Sequence, residues 1–105
     1  MIGISDGKRY RLRLRDIFYF EIVEGRSFLY CEDRVFECRQ KLYEFETLCR
    51  GSMLFRCSKS MILNTDKIAC VRPSVSGRFE ATLVNQEKVI ISHQYVGELK
   101  RMLGI

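Results

Sequence analysis

Apolar and polar residues alternate with a two-residue period over most of the chain, and a helical period appears in only two places. Asp6-Gly7 is a turn dipeptide flanked by Ile2 and Ile4 before it and by Tyr10, Leu12 and Leu14 after it, which predicts an opening β-hairpin. The alternation in Tyr10-Arg11-Leu12-Arg13-Leu14-Arg15 sends Arg11, Arg13 and Arg15 to one solvent-facing row. Ile17–Val23 is the most apolar run and reads as a core strand. Glu24-Gly25-Arg26-Ser27 breaks it, leaving Arg26 exposed on a loop tip, and Phe28–Cys31 resumes it. A turn at Glu32-Asp33 leads into Arg34–Cys38, so the first third is a meander of short antiparallel strands, the pairing that such brief connections permit.

From Gln40 the period changes. Leu42, Phe45, Leu48 and Cys49 recur at helical spacing, Lys41, Glu44 and Glu46 fill the other side, and Gly51 supplies a stop. Strands follow at Ile68–Val71, ending by Pro73, then at Arg78–Val84 and Lys88–Ile91, separated by Ser74–Gly77 and Asn85-Gln86-Glu87. Ser92 is a candidate N-cap for a terminal helix whose inner face is Val96, Leu99 and Leu103. That start would put His93 and Gln94 beside free backbone N–H groups, an arrangement suited to anions. The pattern therefore predicts a mostly β fold of short antiparallel sheets, with one short mid-chain helix and one short C-terminal helix, in a single domain spanning residues 1–105.

One stretch departs from plain alternation. Leu54-Phe55 and Met61-Ile62-Leu63 call for burial, while Ser58-Lys59-Ser60 between them is polar and basic. Local pattern accommodates two readings: a corner joining two buried strands, or a loop held at both ends so as to present its side chains.

Composition narrows the function classes. With 105 residues, 47% hydrophobic and 30% charged, the chain is long enough for one real core and too apolar for disorder. No apolar run approaches the ~20 residues of a membrane span and there is no signal-peptide core, so a soluble, cytoplasmic protein is expected. The formal charge of +5 suits a polyanionic partner. The five cysteines lack C-x-x-C spacing and there is one histidine, so neither metal nor cofactor is expected and the thiols read as small reduced hydrophobes. Catalysis finds no G-x-S-x-G, phosphate loop or H-E-x-x-H; the pairing that remains open is Cys57 with His93, and Cys57 also stands beside the polar loop as a candidate redox thiol. No glycine–aromatic motif of the RNA-recognition type occurs, although Tyr19 and Tyr30 are candidates for exposed aromatics.

Three blocks in order resemble the LytTR DNA-binding domain, the output module of many bacterial response regulators. Asp16-Ile17-Phe18-Tyr19-Phe20-Glu21 is similar to the family's D-I-x-Y-I-E strand. Phe55-Arg56-Cys57-Ser58-Lys59-Ser60-Met61-Ile62-Leu63-Asn64, with Lys67-Ile68 following, is similar to its R-x-H-R-S-x-x-V-N block. Val89-Ile90-Ile91-Ser92-His93-Gln94-Tyr95 is similar to its L-P-V-S-R-R ending. The missing catalytic elements predict that the protein is not an enzyme, and the resemblance implies an elongated fold and double-stranded DNA read by loops in successive major grooves. A second copy on tandem half-sites is usual for the family, and two expectations stand for the full protein: an output domain joined to a receiver domain, or a stand-alone regulator. The groove-facing positions the resemblance assigns are Arg26, Ser58, Lys59, Ser60, His93 and Gln94.

This chain departs from the family at the contact points themselves. Ser58-Lys59 stands where His-Arg is common, and His93-Gln94 where arginine is common. Lysine lacks the arginine fork that fits guanine, whereas Gln94 has the paired hydrogen-bonding groups that fit adenine, so an A·T-containing site is expected. The competing expectation is a β-rich protein-interaction or ligand-sensing module whose surface is incidentally basic.

Overall fold

Short connections set the topology in the computed structural model, which describes residues 1–105. β1 (Ile2–Ser5) and β2 (Lys8–Arg11) are joined through Asp6-Gly7, and β3 (Tyr19–Val23) and β4 (Arg26–Tyr30) through Glu24-Gly25. Both central residues of the second turn have positive φ, 51° at Glu24 and 77° at Gly25, the backbone twist a two-residue hairpin demands. β5 (Val35–Cys38) completes the meander, and α1 (Leu42–Leu48) then leads to β6 (Leu54–Arg56) and β7 (Met61–Asn64). These strands form one antiparallel sheet in the order β2-β1-β5-β4-β3-β7-β6. β8 (Ile68–Pro73), β9 (Phe79–Leu83) and β10 (Lys88–Ile91) form a second sheet, followed by α2 (Val96–Leu103).

Two cores share the middle strands. Phe20, Leu54 and Ile62 point to one side and bury against Phe45 and Cys49 of the α1 segment, with Ile17, Leu29, Phe36 and Cys38. Their neighbours Tyr19, Phe55 and Leu63 point to the other side and meet Ala81, Leu83, Val89 and Ile91 of the second sheet and Leu99 of α2. Strands β3, β6 and β7 are thus covered on both faces, which is why their sequence is a continuous apolar run rather than a clean alternation. The molecule measures 40 × 26 × 25 Å, elongated as expected.

Three local expectations are corrected. The Tyr10–Arg15 alternation does not continue as a strand: Leu14–Asp16 is a single 3-10 turn, closed by Asp16 N–H to Arg13 O (3.0 Å) and Ile17 N–H to Leu14 O (3.1 Å). That turn lets Leu12 and Leu14 both pack on the α1-side core, so Arg11, Arg13 and Arg15 are exposed without forming one sheet-face row. Leu48, expected on the inner face of α1, is 54% exposed because the short helix hands its last inward position to Cys49. Tyr19 and Tyr30 are not exposed stacking platforms. They stack on each other at 4.3 Å, and the buried Tyr19 donates its hydroxyl to Glu87 (2.7 Å).

Candidate nucleic-acid interface

The polar loop at 58–60 hangs from two strands anchored by the buried Leu54, Phe55, Ile62, Leu63 and Asn64, so its base is fixed. Cys57 N–H and Ser58 N–H both reach the carbonyl of Met61 (3.1 and 3.4 Å), and Ser60 N–H reaches the Ser58 hydroxyl (3.2 Å). Arg56 then buckles the loop from outside. Its guanidinium donates to the carbonyls of Ser58 and Lys59, both at 2.6 Å, and to Glu46 at 3.3 Å. It also lies 5.8 Å from the centre of the ring of Tyr95, the last residue of the third block. Every hydrogen-bonding partner of Arg56 in the loop is a carbonyl, so Arg56 leaves the loop side chains free, and of these only the Ser58 hydroxyl is engaged, by Ser60 N–H.

The third block comes alongside. Ser92 N–H donates to Cys57 O (2.9 Å), which ties the end of β10 to the start of the polar loop. The chain then makes a 3-10 turn at His93–Tyr95, closed by Tyr95 N–H to Ser92 O (2.9 Å), before α2 begins. The expected helix start at Ser92 is therefore corrected: the serine makes no side-chain capping bond, and a separate tight turn, not the first turn of α2, carries His93 and Gln94. Both are exposed.

Ser58, Lys59, Ser60, Ser92, His93 and Gln94 line one open cleft of about 460 Å³, and Arg78 of the β8–β9 loop completes it. No hydrophobic residue lines it. A hollow of about 780 Å³ lies elsewhere, between the end of α1, β6 and α2; Arg101 and Arg56 there are engaged by Glu98 and Glu46, which leaves Arg50 as its one unpaired cation beside two carboxylates. The smaller cleft has the chemistry of an anion-facing surface, because its cations are Lys59 and Arg78 and neither has a carboxylate partner.

Arg26 is a correction. It is not on the loop tip but is the first residue of β4, paired across from Val23. Its guanidinium forks onto Glu37, Nε to Oε2 at 3.1 Å and Nη2 to Oε1 at 2.7 Å, and sits 5.4 Å from the centre of the Phe28 ring. It lies at the same end of the sheet as the polar loop, since Ile22 N–H donates to Ser60 O (2.9 Å) and Ile22 pairs with Ser27. Two strand spacings place it roughly 10 Å from Ser60, outside the cleft.

Cys57 does not have the surroundings of a nucleophile or redox thiol. It has no exposed surface, and burial pushes its thiol up to about 12, away from the thiolate form that reacts. All five cysteines are unpaired, and Cys70 is the exposed one.

The model of the LytTr DNA-binding domain matches residues 7–104. The chain belongs to the LytTr DNA-binding domain family. A curated relative, the sensory transduction protein LytT of Enterococcus faecalis, is 26% identical over 101 residues, which is 96% of this chain and 42% of that protein. The chain thus spans about two-fifths of the length of that relative. A solved LytTr DNA-binding domain from Bacillus cereus superposes with a TM-score of 0.92 at 22% identity, covering 100% of this chain and 96% of that one, so the two share the fold. Arg56, Arg78 and Ser92 belong to this surface and are missing from the sequence-level site, where Ser92 figures only as a helix cap. Arg56 was legible as part of the second block but not as its buckle, and Arg78 carried no motif signal.

Proposed function

We propose that this LytTr domain binds double-stranded DNA sequence-specifically for a cytoplasmic transcriptional regulator, presenting Ser58, Lys59, Ser60, His93 and Gln94 to a major groove. The observation that carries the reading is the cleft itself: two separate loops, joined by the Ser92–Cys57 backbone bond, surround a surface with two unpaired cations and no apolar lining. Such a surface suits phosphate and base edges, not a hydrophobic ligand. Arg26 serves as an accessory contact at the neighbouring strand end, released from Glu37 when a phosphate approaches. No helix is long and apolar enough to cross a membrane, consistent with a site that meets DNA. Pairing of two copies on tandem half-sites, and attachment to a receiver domain, belong to the same reading.

Lys59 acts as a phosphate contact, which positions the protein without reading sequence. Lys59→Ala should weaken binding to all duplexes and reduce the slope of log K against log salt by about 0.9, the value for one phosphate on B-DNA. A gel-shift titration at several salt concentrations measures it, and an unchanged slope removes Lys59 from the interface. Selection of bound sequences from a random pool tests the wider reading. A defined site should emerge containing an A·T position that Gln94→Ala relaxes. Failure to enrich any sequence would favour the protein-interaction reading instead.

A further inference from the structure

Neither of the two loops supplies an arginine to the cleft, since positions 59, 93 and 94 hold lysine, histidine and glutamine. It has an arginine nonetheless, delivered from a third segment. Arg78 is exposed, makes no ion pair or side-chain hydrogen bond, and lines the cleft beside Lys59 and His93. The other cations of the second sheet are engaged in contrast: Arg72 and Lys88 both bridge to Glu80 (2.9 and 3.9 Å). Arg9, Arg11, Arg15, Arg39 and Arg50 are also exposed and unpaired, but Arg78 is the one arginine that lines this cleft, so its fork is available there to a base edge or a phosphate.

The loop that carries Arg78 is built to close. Ser74 N–H donates to Arg78 O (2.8 Å) and Arg78 N–H to Val75 O (3.2 Å), so both backbone groups of Arg78 are fixed. Within that ring Ser76 has φ 57° and ψ 36°, a left-handed conformation that costs a non-glycine residue free energy and persists where surrounding structure enforces it. Gly77 follows with φ 74°, and a Cβ there would stand 2.6 Å from Cδ2 of His93. The loop therefore packs its backbone directly on the histidine ring, and any side chain at position 77 would push the two apart. Gly77 acts through His93 and Arg78, as a positioning residue.

The geometry points to Arg78 as a base-reading residue of the interface, with guanine as its target, seated by the contact of Gly77 with His93. This rests on the double-stranded DNA reading above. The chemistry is specific: the planar fork of arginine matches the O6 and N7 acceptors of guanine in the major groove, a match that Lys59 with its single ammonium cannot make. The bound site should accordingly contain a guanine that depends on Arg78 near an adenine that depends on Gln94.

The test uses the whole chain and duplexes selected from a random pool by the wild-type protein, with Arg78→Ala, Arg78→Lys and Gly77→Ala compared by gel shift and by repeat selection. Arg78→Ala should lose between about five- and 150-fold on the selected duplex, the range for one bidentate side chain–base pair, and lose preference at one G·C position only. Arg78→Lys should keep the salt dependence of the wild type without restoring that preference. Gly77→Ala, folded by circular dichroism, should loosen the same position with the salt slope unchanged. A uniform loss across all sequences with the slope reduced by about 0.9 in Arg78→Ala would make Arg78 a phosphate contact and overturn the assignment. No change in affinity would overturn it equally. If the wild-type protein selects no sequence, the DNA reading fails first, and that result is distinguishable from a site selected by all variants alike.

Discussion

At the scale of single residues, tertiary partners decide which polar groups are free. Arg26 and Glu37 lie eleven positions apart, and only the strand register, with Glu37 opposite Phe28, brings them together as diagonal neighbours on adjacent strands. The pair is solvated, and exposed pairs of this kind are readily exchanged for a phosphate. Glu37→Gln should therefore tighten DNA binding a few-fold and steepen its salt dependence, because Arg26 is then unpaired before DNA arrives. Unchanged affinity in a fluorescence-anisotropy titration would exclude Arg26 as a contact. The same logic explains what was hidden in the sequence. Lys59, His93 and Gln94 stood in recognisable blocks, whereas Arg78 sits in a strand connection whose proximity to His93 depends on a glycine packing against an imidazole ring. Nothing in the local pattern encodes that meeting.

At the scale of elements, apolar runs were informative and alternation was less so. The strands that line both cores were legible because burial on two faces leaves few polar positions, Glu21, Arg56 and Asn64 among them, to interrupt the pattern. The Tyr10–Arg15 segment misled because a 3-10 turn at Leu14–Asp16 reproduces the same spacing of inward residues over a shorter path. The Ser92 N-cap failed for a related reason: a separate tight turn intervenes before α2. Two side chains carry the stability of the elements that hold the site. Asn64, fully buried at the end of β7, donates to Ile17 O (2.9 Å) and accepts from Asp66 N–H (2.9 Å), so it joins the start of the core strand to the turn before β8. Asn64→Leu strands both backbone groups without partners and should cost about 1–3 kcal/mol for each group left buried, measured by urea denaturation. A loss below that range would mean that water satisfies the freed groups. Arg56→Ala removes the buckle of the 58–60 loop. It should weaken DNA binding at least tenfold while the salt slope stays near that of the wild type, because Arg56 grips carbonyls and not phosphates. A slope reduced by about 0.9 would instead make Arg56 a direct phosphate contact.

At the scale of the whole molecule, burial of ionisable groups sets an alkaline limit. Cys49 and Cys57 are both buried and both pushed up to about 12 by that burial. Burial, reinforced by the hydrogen bond to Glu87, raises the Tyr19 hydroxyl as well. Below the ordinary thiol range near 8.5, folded and unfolded chains both hold these protons and pH has no leverage through them. Above it the unfolded chain ionises first, so stability falls with rising pH until the folded thiols ionise near 12. The midpoint of thermal unfolding should decline steadily from pH 9 to 11, and more gently in Cys57→Ala. A flat profile would show that these thiols meet solvent in the folded protein.

The seven residues lining the cleft include none of the core, and none of them is an apolar side chain. Exchanges at Lys59, Arg78, His93 or Gln94 act on exposed positions, where a substitution typically changes stability by about half a kcal/mol or less. On the reading of the cleft proposed above, recognition and folding are nearly independent inheritances in this domain. A lineage can wander from one promoter sequence to another by altering a handful of solvent-facing side chains, without passing through a poorly folded ancestor. What it cannot easily give up is the glycine on which the histidine rests.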